Sequence, residues 1–143
     1  MGQALNYQVE IRSPRARVWE QMLGDAGYRD WTTAFCEGSY FEGRWETGAD
    51  IRFLGPTGDG MRARIEAARE PEYVSIQHLG ELVGNAPKEC SDWQDVFERY
   101  TLSEQGGGTR IDVALSQVPE AYVEMMNTMW PAALQRLKKA CES

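Results

Sequence analysis

Two polar side chains fall where apolar ones are expected. In EYVSIQHLG (72–80) the residues alternate, so Val74, Ile76 and His78 share one face of a strand. In WQDVFERYTL (93–102) the same alternation puts Val96, Glu98, Tyr100 and Leu102 together. Each face is apolar but for one ionisable residue, His78 on the first and Glu98 on the second. If the two strands pair across residues 81–92, Ile76 sits opposite Glu98 and His78 opposite Val96. His78 and Glu98 are then diagonal neighbours within reach of each other. An imidazole and a carboxylate on an apolar inner face can fix a ligand's carbonyl or hydroxyl, or serve as an acid/base pair for hydrolysis or enolisation. The competing expectation is that a one-residue shift or a bulge turns Glu98 outward, or that it pairs with a buried arginine.

Other chemistries find little support. No serine lies in a GxSxG turn, and no pattern ties the lone histidine to Cys36, Cys90 or Cys141. The three cysteines are far apart and form no CxxC. The N-terminal stretch MGQALNYQVEIRS carries no basic region followed by an apolar one, so no secretory signal is expected. Free thiols in a reducing cytoplasm follow as the expectation. One histidine and scattered cysteines predict no metal site and no cofactor. The net charge of −7 disfavours nucleic acid and anionic membrane surfaces. Apolar runs of only a few residues predict no membrane insertion.

The elements that must position His78 and Glu98 can be read along the chain. At 143 residues, with no repeats or linkers, residues 1–143 are expected as one domain. YQVEIRS (7–13) alternates as a half-buried strand. Ser13 is a natural N-cap and Pro14 suits the first helical position, with Val18, Trp19 and Met22 then at helical spacing. A short turn or second helix carries Tyr28 and Trp31. Strand signals recur in EGSYFEG, ADIRFLG, MRARIEA, EYVSIQHLG, WQDVFERYTLSE and TRIDVALSQ, with PTGDG and QGGG as turns. Residues 81–92 read as a long irregular loop whose length and composition permit a gate. Strands joined by short turns predict an antiparallel sheet, one face of which needs cover.

The cover is the last helix, about twenty residues and roughly 30 Å long. In YVEMMNTMWPAALQRL (122–137), Tyr122, Met126, Met129 with Trp130, Ala133 and Leu137 form one apolar stripe. Ordinary core packing would explain it, since methionine fills irregular gaps. Methionine is equally common at adaptable binding surfaces. Bulky Met and Trp occupy the first half, and small Ala132, Ala133 and Ala140 the second. A helix held close at one end and propped open at the other would leave a cavity near 122–130. Pro131, lacking its N–H, is expected to bend or divide the helix where the packing changes.

Four stretches together resemble a known family. VEIRSPRARVWEQM is similar to the opening strand and helix of the START-like, or Bet v 1-like (SRPBCC), superfamily. RWETGADIRFLGPTGDGMRARI resembles the W-x-x-G-x-x-I-x-F hairpin of the branch related to the activator of Hsp90 ATPase. GGGTRIDV and WPAALQRLKKACE resemble that branch's last hairpin and closing helix. The resemblance covers nearly the whole chain. It implies an α+β helix-grip fold, in which a curved antiparallel sheet of six or seven strands wraps the long C-terminal helix, with one or two short helices after the first strand. Relatives enclose an apolar cavity that holds lipids, sterols, hormones or polyketides, and some catalyse cyclisation or hydrolysis there. The Hsp90-activating relatives work by protein contact.

The functional expectation is a binding module for a small, mostly apolar ligand such as a lipid, polyketide or aromatic metabolite. Phe53, Ile65, Ile76, Tyr100, Tyr122, Met126, Met129 and Trp130 are expected to line its cavity, with His78 and Glu98 supplying polarity. Trp31 joins them because the family's similar position lies near the cavity mouth. Phe35, Trp45 and Trp93 are expected as packing residues at the ends of the sheet. An enzyme of cyclase or hydrolase type and a chaperone-contacting module stay open as alternatives, and so does a homodimer.

Overall fold

The computed structural model describes residues 2–89 and 93–143. Eight strands and three α-helices follow in order: β1 (Gly2–Ile11), α1 (Arg15–Leu23), α2 (Asp25–Trp31), β2 (Tyr40–Gly43), β3 (Asp50–Leu54), β4 (Gly60–Arg69), β5 (Tyr73–Val83), β6 (Ala86–Pro87), β7 (Phe97–Gln105), β8 (Gly108–Pro119) and α3 (Val123–Glu142). Short 3₁₀ turns follow α2 and precede α3. The strands form one antiparallel sheet in the order β1-β8-β7-β5-β4-β3-β2, with the two-residue β6 paired to the end of β5. This is the expected helix-grip α+β architecture, with one more strand than the sequence suggested.

Alternation makes the sheet two-faced. Thr109, Ile111, Val113 and Leu115 of β8 are buried, as are Tyr100 and Leu102 of β7 and Val74, Ile76 and His78 of β5. Register shifts between Gln3 and Leu5, between Arg62 and Ala63, and between Ile65 and Ala67 interrupt the pairing. Such bulges bend the strands that carry them and curl the inner face around the helices. β1 begins earlier than the alternation in YQVEIRS indicated. The cap of α1 also differs from expectation. Pro14 occupies the N-cap position, with no side-chain capping bond. Ser13 is buried, and its carbonyl accepts a bond from Thr109 Oγ1 at 2.8 Å.

The two halves of α3 are held differently. In the second half Ala133, Leu134, Leu137 and Cys141 are buried, and polar contacts pin the same half. Lys138 Nζ donates to the Glu10 carbonyl at 2.8 Å. The Arg12 amide donates to Glu142 Oε2 at 2.8 Å, and Arg136 pairs with Asp30 at 2.9 Å. In the first half Val123, Met126 and Met129, with Tyr122 just before the helix, are only half-buried, and Trp130 is buried where the two halves meet. Pro131 does not divide the helix, which is continuous from Val123 to Glu142. It is exposed and stands where the packing changes from half-buried to buried.

A cavity between sheet and helix

Where the first half of α3 stands away from the sheet, a cavity of about 450 Å³ remains. That size accommodates a small organic molecule. β3 and β4 supply Phe53, Leu54 and Met61, and β5 and β7 supply Ile76, His78, Glu81, Glu98 and Tyr100. α2 and the turn after it supply Tyr28, Trp31 and Phe35, and the helical side supplies Tyr122, Met125, Met126, Met129 and Trp130. Cys36, Asp59 and Met125, lining residues that are also exposed, mark where the cavity meets solvent.

Aromatic rings form much of the wall. Trp130 anchors one side, with Phe35 edge-on at 5.0 Å between ring centroids and Tyr100 at 6.0 Å. Tyr28 anchors the other, stacked on Phe53 at 6.0 Å and edge-on to Phe41 at 5.1 Å. Trp31 bridges the two groups. Its indole N–H donates to the Met22 carbonyl at 2.9 Å, so this tryptophan is fixed rather than free to swing.

The polar groups converge on Glu98. His78 Nε2 lies 2.9 Å from Glu98 Oε1, with the two side chains 7% and 18% exposed. The Tyr100 hydroxyl donates to Glu98 Oε2. A carboxylate only accepts, so Nε2 carries the shared hydrogen, and in the neutral ring Nδ1 is an acceptor. That atom is buried without a hydrogen-bond partner among the described residues, as is the indole nitrogen of Trp45. Burial, reinforced by the charge of Glu98, raises the pKa of the Tyr28 phenol. The same two effects, with the hydrogen bond to Glu98, hold Tyr100 well above the ordinary tyrosine value.

The backbone fixes this geometry. Ile76 pairs directly with Glu98. The His78 amide donates to the Val96 carbonyl at 2.9 Å, and the Asp95 amide returns a bond to the His78 carbonyl at 2.7 Å. β7 itself starts only at Phe97, because Asp95 takes a left-handed conformation with φ of 63°. That turn sends Trp93 across to Tyr122, 5.3 Å away between ring centroids.

The family described as activator of Hsp90 ATPase homolog 1-like protein matches residues 12–142. The chain belongs to this family. Solved structures of similar fold include the Aha1 dimer from Colwellia psychrerythraea, 19% identical with a TM-score of 0.77, over 98% of this chain and 96% of that one. DynU16, described as a putative protein in the dynemicin biosynthetic locus, is 16% identical with a TM-score of 0.73, over 98% of this chain and 47% of that one. CalU16 from Micromonospora echinospora is 16% identical with a TM-score of 0.70, over 97% and 74%. At these identities the likeness is one of fold. No curated protein matches the sequence significantly.

Among the residues singled out from sequence, Trp31, Phe53, Ile76, His78, Glu98, Tyr100, Tyr122, Met126, Met129 and Trp130 all line the cavity of this AHSA1-like domain. Ile65 does not. It pairs with Ile76, but it is completely buried and belongs to the packed core. Phe35, Trp45 and Trp93, expected as packing alone, contribute to the cavity wall. Tyr28 was missed, although its spacing of three from Trp31 puts both on one face of a helix. Met61 was missed although it alternates with Ile65 in the strand read from MRARIEA, and Glu81 was missed because β5 runs on into the stretch read as a loop.

The stretch expected as a loop at 81–92 begins as a hairpin. β5 runs on to Val83 and turns at Gly84 and Asn85, with φ of 58° and 63°, into β6. The Asn85 amide bonds the Gly58 carbonyl at 2.7 Å, and the Gly84 amide bonds Asp59 Oδ1 at 2.8 Å. This hairpin is therefore tied to the β3–β4 turn. Cys90, and with it the end of the expected gate, lies outside the described residues. Among the described residues no cluster of ligating side chains could hold a metal, and no helix is long and apolar enough to cross a membrane.

Proposed function

We propose that the protein binds a small, mostly apolar molecule in the cavity between the sheet and the first half of α3. The observation that carries this reading is a hollow of about 450 Å³ walled by aromatic rings and methionines around one linked polar group, His78–Glu98–Tyr100. An interior of this size has no packing purpose, since domain cores close to near-crystalline density. Trp31, Phe53, Ile76, Tyr122, Met126, Met129 and Trp130 supply apolar contact, and the polar cluster orients the guest. The association of the DynU16 relative with the dynemicin biosynthetic locus supports a natural product or aromatic metabolite as the class of guest. Titration with N-phenyl-1-naphthylamine, whose fluorescence rises in apolar surroundings, tests the reading. Saturable one-site binding is expected, and no saturable signal would overturn it.

A second reading makes the same cavity an active site, with His78 and Glu98 as the acid/base pair. Both side chains are largely shielded from bulk solvent, as that chemistry needs. It ranks second because among the described residues no hydrogen bond links His78 to a serine or cysteine nucleophile. Hsp90-activator-like chaperone contact ranks third. Among the described residues the exposed large apolar side chains are Val83 and Met125, too few for a docking patch. The dimer described for the Colwellia relative suggests a homodimer, which light scattering would detect.

A further inference from the structure

The ionisable side chains lining the cavity are of one sign, apart from a single histidine. Glu98 and Glu81 are half-buried in its wall, with side chains 18% and 24% exposed, and Asp59 stands at the exposed rim. Among the described residues no arginine or lysine lines it. Lys88 pairs with Glu81 at 3.6 Å from outside the lining. His78 faces Glu98 through Nε2 and, in its neutral form, offers an unpartnered buried acceptor at Nδ1. Aromatic rings line the wall around these groups, including Tyr28, Trp31, Phe53 and Trp130.

A half-buried carboxylate among aromatic rings attracts a positive charge twice over. The carboxylate acts by direct Coulomb attraction in a partly desolvated site. The rings act through the negative potential over their faces. An anionic guest would face the carboxylates of Glu98 and Asp59, and of Glu81 with its Lys88 partner, and among the described residues no arginine or lysine in the wall receives it. The wider field of the molecule, with a net charge of −7, has the same sign.

We propose that the cavity selects apolar guests bearing a basic amine, bound as cations, over carboxylic acids of the same shape. The inference rests on the binding reading above and narrows its ligand class. Glu98 is the anchor for the ammonium group, and the Trp130 and Tyr28 groups of rings enclose the apolar body. Fatty acids and other anionic lipids are then poor guests, in spite of the apolar walls.

The test is a charge series on one scaffold: 1-pyrenemethylamine, 1-pyrenemethanol and 1-pyrenecarboxylic acid, titrated at pH 7 against tryptophan quenching. The amine is expected to bind tighter than the acid by about tenfold or more, with the alcohol between them. In Glu98→Gln, which keeps the shape of the side chain, the amine's advantage over the alcohol is expected to shrink while the alcohol still binds. Equal or tighter binding of the acid would overturn the proposal. So would an amine preference that Glu98→Gln leaves unchanged. Binding of the alcohol without any charge preference would defeat the inference and leave the binding reading standing. Failure of all three to bind would defeat both. If Glu98→Gln does not fold, the charge series on the wild-type protein decides alone.

Discussion

The two halves of α3 are predicted to respond very differently to the same truncation. Leu137 has no exposed surface and sits in the closed half, among Ala133, Leu134 and Cys141. Replacing it with alanine removes buried methyl groups and leaves a void that tight packing cannot collapse, at a cost of about 3 kcal/mol or more. Met126 is half-buried and faces a hollow that already exists. Met126→Ala therefore forfeits part of a transfer free energy and creates little new void, about 1 kcal/mol. For a domain of this size the two costs correspond to falls in Tm of roughly 10 °C and roughly 3 °C. Equilibrium urea unfolding with a shared m-value reads the difference directly. Costs equal within about 0.5 kcal/mol, the scatter expected of independent sites, would refute the division of α3 into a packed and an open half.

The polar cluster gives a second prediction. Glu98→Ala leaves the Tyr100 hydroxyl and His78 Nε2 buried without their acceptor, and is expected to destabilise by about 3 kcal/mol, whereas Glu98→Gln costs less. Urea unfolding of the two variants separates these outcomes. The Tyr28 and Tyr100 phenols are raised by burial and by Glu98. Their neutral forms are favoured in the folded state, so their contribution is intact below pH 10 and is lost as pH rises further. Absorbance at 295 nm should show these two phenols ionising only with alkaline unfolding. Cys36 is exposed and Cys141 buried, with burial pushing the Cys141 thiol up to about 11 despite the opposing pull of Arg17. In a Cys90→Ser background, Ellman's reagent at pH 8 should label one thiol in the native protein and a second only on unfolding. Finally, Met126→Trp should obstruct the hollow, weaken N-phenyl-1-naphthylamine binding by about tenfold or more, and change stability by no more than about 1.5 kcal/mol. Fluorescence titration beside urea unfolding checks both halves of that statement.

Much of the site was legible because it lies on strands. Period-two alternation puts His78 and Glu98 on inner faces, and the pairing of Ile76 with Glu98 brings the two ionisable groups together. Residues 122–137 were legible for a similar reason, since helical spacing fixes which side chains share a stripe. What escaped depends on contacts between distant segments. Tyr28 reaches the cavity because α2 folds back beneath β2 and β3, where it meets Phe41 and Phe53, and no local pattern encodes that approach. Trp45 and Trp93 lie outside the strands and helices, where no periodicity assigns a face. Ile65 shows the converse. Its face was read correctly, but a face does not say which part of it is filled and which is hollow. That division follows from how closely α3 is held at each end, through bonds such as Lys138 to Glu10 and Arg12 to Glu142 that sequence periodicity does not reveal.

The central claim is that the space between the sheet and the open half of α3 holds a guest. Native mass spectrometry of the protein purified from its own source, followed by extraction and identification of whatever it carries, tests this most directly. The account predicts a discrete additional mass that leaves on denaturation and is absent from Met126→Trp prepared in the same way. Protein that emerges unliganded, and that also fails to take up N-phenyl-1-naphthylamine or 1-pyrenemethanol, would contradict it.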